Sequence, residues 1–270
     1  MEVGLVVKTR NNLTMKKLLL LSALLIFACS DDDSSDTNNN YNNYKLVDTY
    51  QYSYVNNDPG SSNFGNIYED IISYSYDGNK LLNASNDEFI VNYTYNEDNK
   101  ISAVYFSGGD VGEAEYDNQE RLVTWTYTDV DDNPIGNPSV SIANFVYNQD
   151  GSVVQTWQGE GQSTFTYLFD QNENITTIIS TTNNFTNSEK HYTYDNKNNP
   201  FKNILGNSFF VNIWFNPLNI SALNNNIITA ENENNIFFYT YDEDDYPISF
   251  NSPNGFDYKS NIQVNITYTN

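Results

Sequence analysis

The sequence predicts an all-β chain: a water-soluble, antiparallel up-and-down meander of about ten β-hairpins, rolled into a barrel-like or two-layer structure. Three observations support this prediction: a repeated aromatic phrase, a composition rich in Tyr and Asn, and few Leu and Ala residues after residue 30. Tyr alone accounts for 22 of the 270 residues. Because aromatic residues favour strands and Asn, Asp and Gly favour turns, this composition indicates many strands joined by many turns.

The repeated phrase consists of an aromatic residue, any residue, a second aromatic residue, Asp or Asn, a few polar residues, and an aliphatic residue. It is clearest over Tyr74–Leu81 and Tyr93–Ile101. Most copies are spaced by about twenty residues, which is the length of one hairpin. The second aromatic residues of the copies are Tyr76, Tyr95, Tyr116, Tyr147, Phe169, Tyr194, Phe215, Tyr241 and Tyr258, and a weaker copy is Tyr52-Ser53-Tyr54.

Each part of the phrase has a structural role. Residues two apart on a strand share a face, so the paired aromatic side chains point the same way and the Ser or Thr between them points to the other face. The following Asp or Asn accepts hydrogen bonds from the backbone ahead and opens a turn. Gly or Asn later in the turn tolerates a positive φ. The aliphatic residue then begins the returning strand.

The aromatic face must be covered, and either a barrel or two stacked layers would cover it. With aromatic side chains pointing inward, a rolled barrel is the preferred prediction. A membrane-spanning barrel needs the reverse, with an apolar exterior and a polar interior. The predicted lipid anchor and the short strands favour a domain that stands in water.

The phrase resembles the YD repeat of RHS-type proteins, most clearly at Tyr76-Asp77-Gly78-Asn79-Lys80-Leu81 and Tyr116-Asp117-Asn118-Gln119-Glu120-Arg121-Leu122. It is also similar to Bacteroidota surface lipoproteins built from such hairpins, some of which have a porin-like fold. The resemblance covers most of residues 50–268. It implies the hairpin architecture and is only weakly informative about function.

The N-terminal residues predict export and lipid anchoring. Lys16 and Lys17 precede an apolar run, Leu18–Ala28, which is too short to span a bilayer and is typical of a signal peptide. Cys29 follows at once and resembles the acylated cysteine of a bacterial lipoprotein. The predicted organisation is a signal peptide over 1–28, with Met1 or Met15 as the start, a lipidated tether over 29–45, and one repeat domain over 46–270.

The acidic run after Cys29, from Ser30 to Asp36, resembles the signal that sends Bacteroidota lipoproteins to the outer leaflet of the outer membrane. The chain has 12 Lys and Arg against 35 Asp and Glu, of which residues 1–28 hold four bases and one acid. The remainder therefore carries 8 − 34 = −26 charges. Such a surface repels phosphate backbones, so nucleic acid is excluded as a partner.

Two groups of residues are candidate sites. Trp214, with Phe210 on the same predicted strand face, stands among amides and is a possible platform for a sugar ring. Asp129, Asp131 and Asn133 present alternating oxygen ligands that suit Ca²⁺, although the closing Glu of an EF-hand is missing. The simpler interpretations are a buried closure of the meander at Trp214 and an ordinary acidic loop at 129–136.

No catalytic set of residues stands out. His191 is the only histidine and Cys29 the only cysteine, so a Ser–His–Asp or Cys–His centre is not supported. The sequence therefore predicts a non-enzymatic lipoprotein exposed on the outer membrane, with a binding or structural role. A glycan or another cell-surface molecule is the favoured partner. An accessory or adhesion subunit of an envelope complex is the alternative, and a polysaccharide-acting enzyme is the least supported.

Overall fold

The computed structural model describes residues 44–130, 138–158, 163–182, 185–208, 210, 224–231, 235–255 and 258–269. The elements assigned in these residues are sixteen β-strands. They are β1 Val47–Asn56, β2 Ile67–Asp77, β3 Lys80–Ser85, β4 Ile90–Tyr95, β5 Ile101–Phe106, β6 Val111–Tyr116, β7 Leu122–Asp129, β8 Ser139–Tyr147, β9 Val153–Gln158, β10 Ser163–Phe169, β11 Ile175–Thr182, β12 Phe185–Tyr194, β13 Ile227–Glu231, β14 Phe238–Tyr241, β15 Pro247–Ser252 and β16 Lys259–Tyr268.

The strands form one antiparallel sheet in which nearly every strand pairs with its neighbours in sequence. The first and last strands also pair, with Tyr50 opposite Ile266. Between β13 and β14, the described residues pair through the bridge of Thr229 and Ile236. Two backbone hydrogen bonds flank it: the Phe237 N–H donates to the Ile228 carbonyl at 2.8 Å and the Ala230 N–H to the Asn235 carbonyl at 3.0 Å. The sheet therefore forms a nearly closed barrel, which confirms the predicted all-β meander and selects the barrel over two layers.

Not every copy of the phrase opens a tight hairpin. The described residues contain sixteen strands. The weak copy at Tyr52-Ser53-Tyr54 lies within β1, and a ten-residue loop follows it instead of a tight turn. The copy at 213–220 and residue Phe256 of the last copy lie outside the described residues.

Each remaining copy of the phrase lies at the same end of the barrel, which we call the turn end. The tight connections after β2, β4, β6, β8, β10 and β14 are found there. Lys45, which precedes β1, and Thr269, which follows β16, lie at this end as well because the strands alternate in direction.

The turns follow the chemistry that the phrase predicted. In the turn after β6, the Oδ1 atom of Asp117 accepts hydrogen bonds from the N–H groups of Gln119 at 2.9 Å and Arg121 at 3.0 Å. Glu120 between them has a φ of 61°. The same arrangement recurs at Asn96, Asp170 and Asp242. The Asx side chain thus builds these four turns, as predicted. Asn99 occupies the positive-φ position as expected, whereas Glu120, Glu173 and Asp245 occupy it in the other three turns, where Gly or Asn was expected.

Aromatic and aliphatic side chains fill the interior. Along β1, Tyr50 and Tyr52 are buried while Gln51 between them is exposed, and along β16 Val264 and Ile266 alternate with exposed Asn265. The inward orientation of the aromatic face is therefore confirmed.

Polar side chains cover large parts of the outer wall. They lie in direct register across neighbouring strands, as in the rows Ser249–Asn265–Gln51, Asn251–Gln263–Ser53 and Glu115–Thr124–Asn144. Hydroxyl pairs add hydrogen bonds on this outer face, for example between Thr49 and Thr267 at 2.7 Å.

A long connection between β12 and β13 enters the barrel at the turn end. We call its described inner part, residues 199–208 and 210, the plug. Phe201 is fully buried against Tyr50 and Tyr74 of β1 and β2, with ring centroids 5.9 and 5.6 Å apart. Phe210 packs on β7, β8 and β9, through Trp125, Phe145 and Trp157. Because β1–β2 and β7–β9 lie on opposite sides of the ring of strands, the plug spans the lumen.

Candidate binding cleft at the turn end

A series of tyrosine hydroxyls links consecutive hairpins around the turn end. The Tyr116 hydroxyl on β6 donates to the carbonyl of Ile101, which begins β5, at 2.8 Å. Tyr147 on β8 makes the same contact with Leu122 at 3.1 Å, and Tyr194 on β12 with Ile175 at 2.7 Å. Tyr116, Tyr147 and Tyr194 therefore each hold the aliphatic residue that begins the preceding returning strand, so the hairpins they join are interlocked.

A cleft of about 600 Å³ opens among these units, beside the plug. Its volume lies within the range of small-molecule sites, about 300–1,000 Å³. The apolar side chains of strand ends form its floor, polar turn residues form its rim, and the plug forms one wall. The lining residues are Tyr116, Leu122, Tyr147, Val153, Leu168, Phe169, Lys100, Glu120, Arg121, Asp150, Gly151, Ser152, Asp170, Glu173, Gly206, Asn207 and Ser208.

The cleft coincides with two departures from the repeat. The second aromatic residue on β10 is Phe169, which has no hydroxyl. It therefore cannot donate a hydrogen bond to a backbone carbonyl as Tyr116 and Tyr147 do. In addition, β8 and β9 pair from Tyr147–Val153 onward without a register shift, whereas the six other turn-end strand pairs shift register just before the second aromatic residue. The local geometry therefore differs at this part of the barrel rim.

The two cations of the cleft are already paired with carboxylates. The Arg121 guanidinium donates to Asp117 through Nη2 at 2.6 Å and Nε at 2.9 Å, and it lies 4.7 Å from the centroid of the Tyr147 ring. Hydrogen bonds from the Arg121 side chain and backbone lower the pKa of Asp117. Lys100 Nζ lies 3.1 Å from Glu120.

The remaining acidic groups, Asp150, Asp170 and Glu173, give the rim a net negative charge. Asp150 is held ionised by Ser152, whose N–H and hydroxyl both donate to it at 3.0 and 2.7 Å and lower its pKa. Asp170 accepts from the backbone of Asn172 and Asn174, so its carboxylate is also committed to building the turn.

The plug wall is fixed by backbone contacts to distant turns. The Leu205 N–H donates to the Asn79 carbonyl at 2.9 Å, and the Asn203 side-chain amide donates to the Lys45 carbonyl at 3.0 Å. At Gly206, a Cβ atom would lie 2.9 Å from the Asn99 carbonyl oxygen and 3.0 Å from the Ile101 nitrogen. Only glycine therefore allows the plug to approach the turn this closely, and its φ of +73° lies in the left-handed region that favours glycine.

The plug is inserted into an otherwise ordinary turn of the repeat. Asp195 Oδ1 accepts from the N–H of Lys197, as the turn pattern requires, and from the N–H of Asn226 at 3.0 Å. Asn226 thus takes the place of the fifth turn residue although it lies 31 positions further along the chain. The Tyr241 hydroxyl also donates to Asp195 and ties β14 to the same point.

The predicted sugar platform differs from what the structure contains. Phe210 was expected on an exposed polar face, but it is buried in the lumen with only 5% of its surface exposed, because it packs edge-on against Trp125 and Phe145. Its predicted exposed position is therefore wrong. Trp214 lies outside the described residues, and sugar binding there stays a prediction.

The other predicted site residues are only partly described. Asp129 ends β7, opposite Ser139 on β8, while Asp131 and Asn133 lie outside the described residues. Within the part of the chain that is described, no three His, Cys, Asp or Glu residues cluster closely enough to hold a metal ion. Calcium binding therefore stays a prediction, as does acylation of Cys29, which also lies outside the described residues. His191 is exposed on β12, and its Nε2 atom lies 3.5 Å from Glu189.

The plug and the cleft escaped prediction from sequence. One signal was present: after Tyr192-Thr193-Tyr194-Asp195, the chain continues with Asn198-Asn199-Pro200 instead of a returning aliphatic residue. A phrase that opens a turn and does not close it indicates an insertion. The cleft itself carries no local signal, because its walls come from four hairpins and the plug.

The comparisons with known proteins support the fold. No protein-family model matches the chain, and no curated protein does either. Among solved structures, a porin-like protein from Bacteroides uniformis is similar, with 14% identity, a TM-score of 0.52, and coverage of 83% of this chain and 98% of that one. A porin-like protein from Bacteroides vulgatus has 13% identity, a TM-score of 0.47, and coverage of 84% and 99%. At 14% identity, the first likeness establishes a shared barrel fold.

Within the described residues there is no helix of the length and hydropathy needed to cross a bilayer.

Proposed function

We propose that this chain is a non-enzymatic binding barrel of the bacterial outer membrane surface, anchored by a lipid on Cys29, with the barrel in water rather than in the bilayer. The observation that carries the proposal is the polar outer wall. Three adjacent strands, β15, β16 and β1, present the rows Ser249–Asn265–Gln51 and Asn251–Gln263–Ser53 to the outside. A barrel that crosses a membrane needs a continuous apolar band, about 25 Å tall, in this position.

Charged residues on the outer wall support the same placement. Glu113 and Glu115 are exposed on the outer face of β6. On the lipid face of a membrane-spanning barrel, charged side chains are destabilising by an amount that increases with depth in the bilayer. Exposed aliphatic residues do occur, but Ile71, for example, lies directly opposite Gln51.

The non-enzymatic role is supported by the state of the acidic groups in the cleft. Asp150 and Asp170 accept hydrogen bonds from their own turns, and Glu120 pairs with Lys100. These carboxylates are therefore used to build turns and ion pairs. Turnover of a polysaccharide that disappears when one of these carboxylates is replaced in a folded protein would contradict the proposal.

The anchoring can be tested with Cys29→Ser in the full chain. We expect the wild type to fractionate with the outer membrane and the variant to be released as a folded protein that stays in solution without detergent. Metabolic labelling with a fatty acid should mark the wild type only, and Ser30→Ala is the matched control that keeps the anchor. An unanchored variant that resists extraction from the membrane would show instead that the barrel itself is embedded.

A second candidate function, an accessory or adhesion subunit, is favoured by exposed aromatic residues at the end opposite the turn end. Phe64 is 59% exposed and Tyr258 is 64% exposed, and Tyr258 also has a strained φ of 61°. The loops that carry them are adjacent, because the Asn57 N–H donates to the Tyr258 carbonyl at 2.6 Å. Aromatic residues of this kind are enriched in protein interfaces. A specific envelope protein recovered with the purified chain would favour this function.

A further inference from the structure

We infer that the turn-end cleft, lined by Tyr147, Phe169 and the plug, binds one sugar ring of a neutral or amine-bearing glycan. This inference rests on the proposed function and names its ligand. An anionic glycan is excluded by the charge of the same site.

The floor of the cleft suits the apolar face of a sugar ring. Tyr116, Tyr147 and Phe169 are half-buried, so each keeps part of its ring accessible from the cleft. Their neighbours Leu122 and Val153 are buried beneath the floor. Aromatic rings with this partial exposure offer apolar area at low conformational cost, since they are already held by the hydroxyl contacts of Tyr116 and Tyr147.

The rim supplies the polar contacts that a hydroxylated ring needs. Asp150, Asp170 and Glu173 surround the opening, and the plug adds Asn207 and Ser208 on the other side. A carboxylate oxygen can accept more than one hydrogen bond. Asp150 and Asp170 accept from N–H groups of their own turns, and each can still accept a hydrogen bond from a sugar hydroxyl. A cleft of about 600 Å³ has room for a ring and its immediate linkages.

The charge of the cleft determines which glycans can bind there. Because Lys100 pairs with Glu120 and Arg121 pairs with Asp117, neither cation is available to neutralise an incoming anion. The three remaining rim carboxylates and the overall acidic charge then repel sulfate and uronate groups. The same carboxylates attract a protonated amine.

Binding can be tested with the full-length chain in detergent on an array of neutral glycans, glycans with a free amine, and sulfated or uronic glycans. We expect retention of members of the first two classes only. Leu168→Trp should weaken retention at least about tenfold, because Leu168 lines the cleft and a larger ring there obstructs part of it. Val146→Trp is the matched control, since Val146 is an exposed residue near the same end of β8 that does not line the cleft.

Glu173→Gln separates the contribution of charge from that of shape. We expect it to weaken amine-bearing glycans several-fold and to leave neutral ones unchanged. The inference is overturned if Leu168→Trp binds as well as wild type, if sulfated glycans bind best, or if no glycan is retained. None of these results bears on the proposed anchoring, which is tested separately by the fractionation of Cys29→Ser.

Discussion

At the scale of single residues, the second aromatic residue of several copies of the phrase does more than fill the core. Its hydroxyl satisfies the backbone carbonyl at the start of the preceding returning strand, as Tyr116 does for Ile101 and Tyr194 does for Ile175. A β-strand end leaves such carbonyls without ladder partners, and an unpaired buried carbonyl is costly. Tyr is therefore favoured over Phe at these positions because it also completes the hydrogen bonding.

This role predicts a measurable cost for removing one hydroxyl. Tyr116→Phe should lower the free energy of unfolding by about 1 kcal/mol, and somewhat more if water cannot reach the Ile101 carbonyl. Urea unfolding followed by circular dichroism measures the change. Tyr105→Phe is the matched control, because Tyr105 is exposed on β5 and the same atom is deleted there. Equal effects of the two substitutions would show that the contact contributes nothing specific.

At the scale of elements, the plug is the feature that distinguishes this barrel from a plain repeat of hairpins. It joins turns far apart in sequence, through Leu205 to Asn79 and Asn203 to Lys45, and it brings Phe201 and Phe210 into the core. Its position depends on the close backbone approach at Gly206. The plug also forms one wall of the cleft, so its placement and ligand binding are linked.

Gly206→Ala should displace the plug. The added Cβ would meet backbone atoms 2.9–3.2 Å away, and those atoms cannot move aside as a flexible side chain can. We expect a loss of stability of more than about 1 kcal/mol and greater quenching of tryptophan fluorescence by acrylamide, since Trp125 packs on Phe210.

Gly65→Ala is the control for this substitution. Gly65 has a similar φ of +79°, but nothing lies within 4 Å of the added Cβ. Gly65→Ala therefore introduces the backbone strain of a positive φ without a steric clash at the added Cβ. If the two variants lost the same stability and showed the same quenching, the close approach at Gly206 would not be what holds the plug.

At the scale of the whole molecule, buried tyrosines line the interior of the barrel around the plug. Burial raises the pKa of Tyr50, Tyr74, Tyr93 and Tyr239 well above the ordinary value of 10.0, and neighbouring tyrosines add to the shift. At Tyr95 burial raises the pKa to about 12, against the opposing hydrogen bond from the Leu81 N–H. The fold therefore depends on these phenols staying neutral.

These buried tyrosines predict that the protein unfolds at alkaline pH. The folded-state pKa values lie above the unfolded value of 10.0, so the stability they contribute is complete below pH 10 and is lost as the pH rises through the folded values. We expect tyrosinate absorbance and loss of the β-sheet circular dichroism to rise together above pH 10. Ionisation of most tyrosines while the sheet signal stays intact would contradict this expectation.

Tyr76→Phe gives this prediction a specific control. The Tyr76 hydroxyl is buried without a hydrogen-bond partner among the described residues, and burial raises its pKa. Its removal deletes one ionisable group and one unsatisfied polar atom. Stability at neutral pH should therefore be unchanged or higher, and the alkaline midpoint should move to higher pH.

Much of the architecture follows from short stretches of the chain. The alternation at Tyr74-Ser75-Tyr76 sets which face is inside, and the Asx residues that follow, such as Asp117 and Asp242, build turns from atoms within four residues. These interactions are local, so they can be read without knowing the fold. One copy of the phrase does not open a tight turn, because Tyr52-Ser53-Tyr54 lies within β1, which ends in a long loop.

The plug and the cleft were decided only in three dimensions. Asp195 is completed by Asn226, Leu205 meets Asn79, and Phe210 leaves its expected exposed position to pack on Trp125, all through contacts between residues distant in sequence. No local pattern encodes such pairings, because their free energy depends on which walls the closing barrel brings together. The repeat thus specified a wall of hairpins with aromatic side chains inward, and the closure of that wall around an inserted segment created the candidate site.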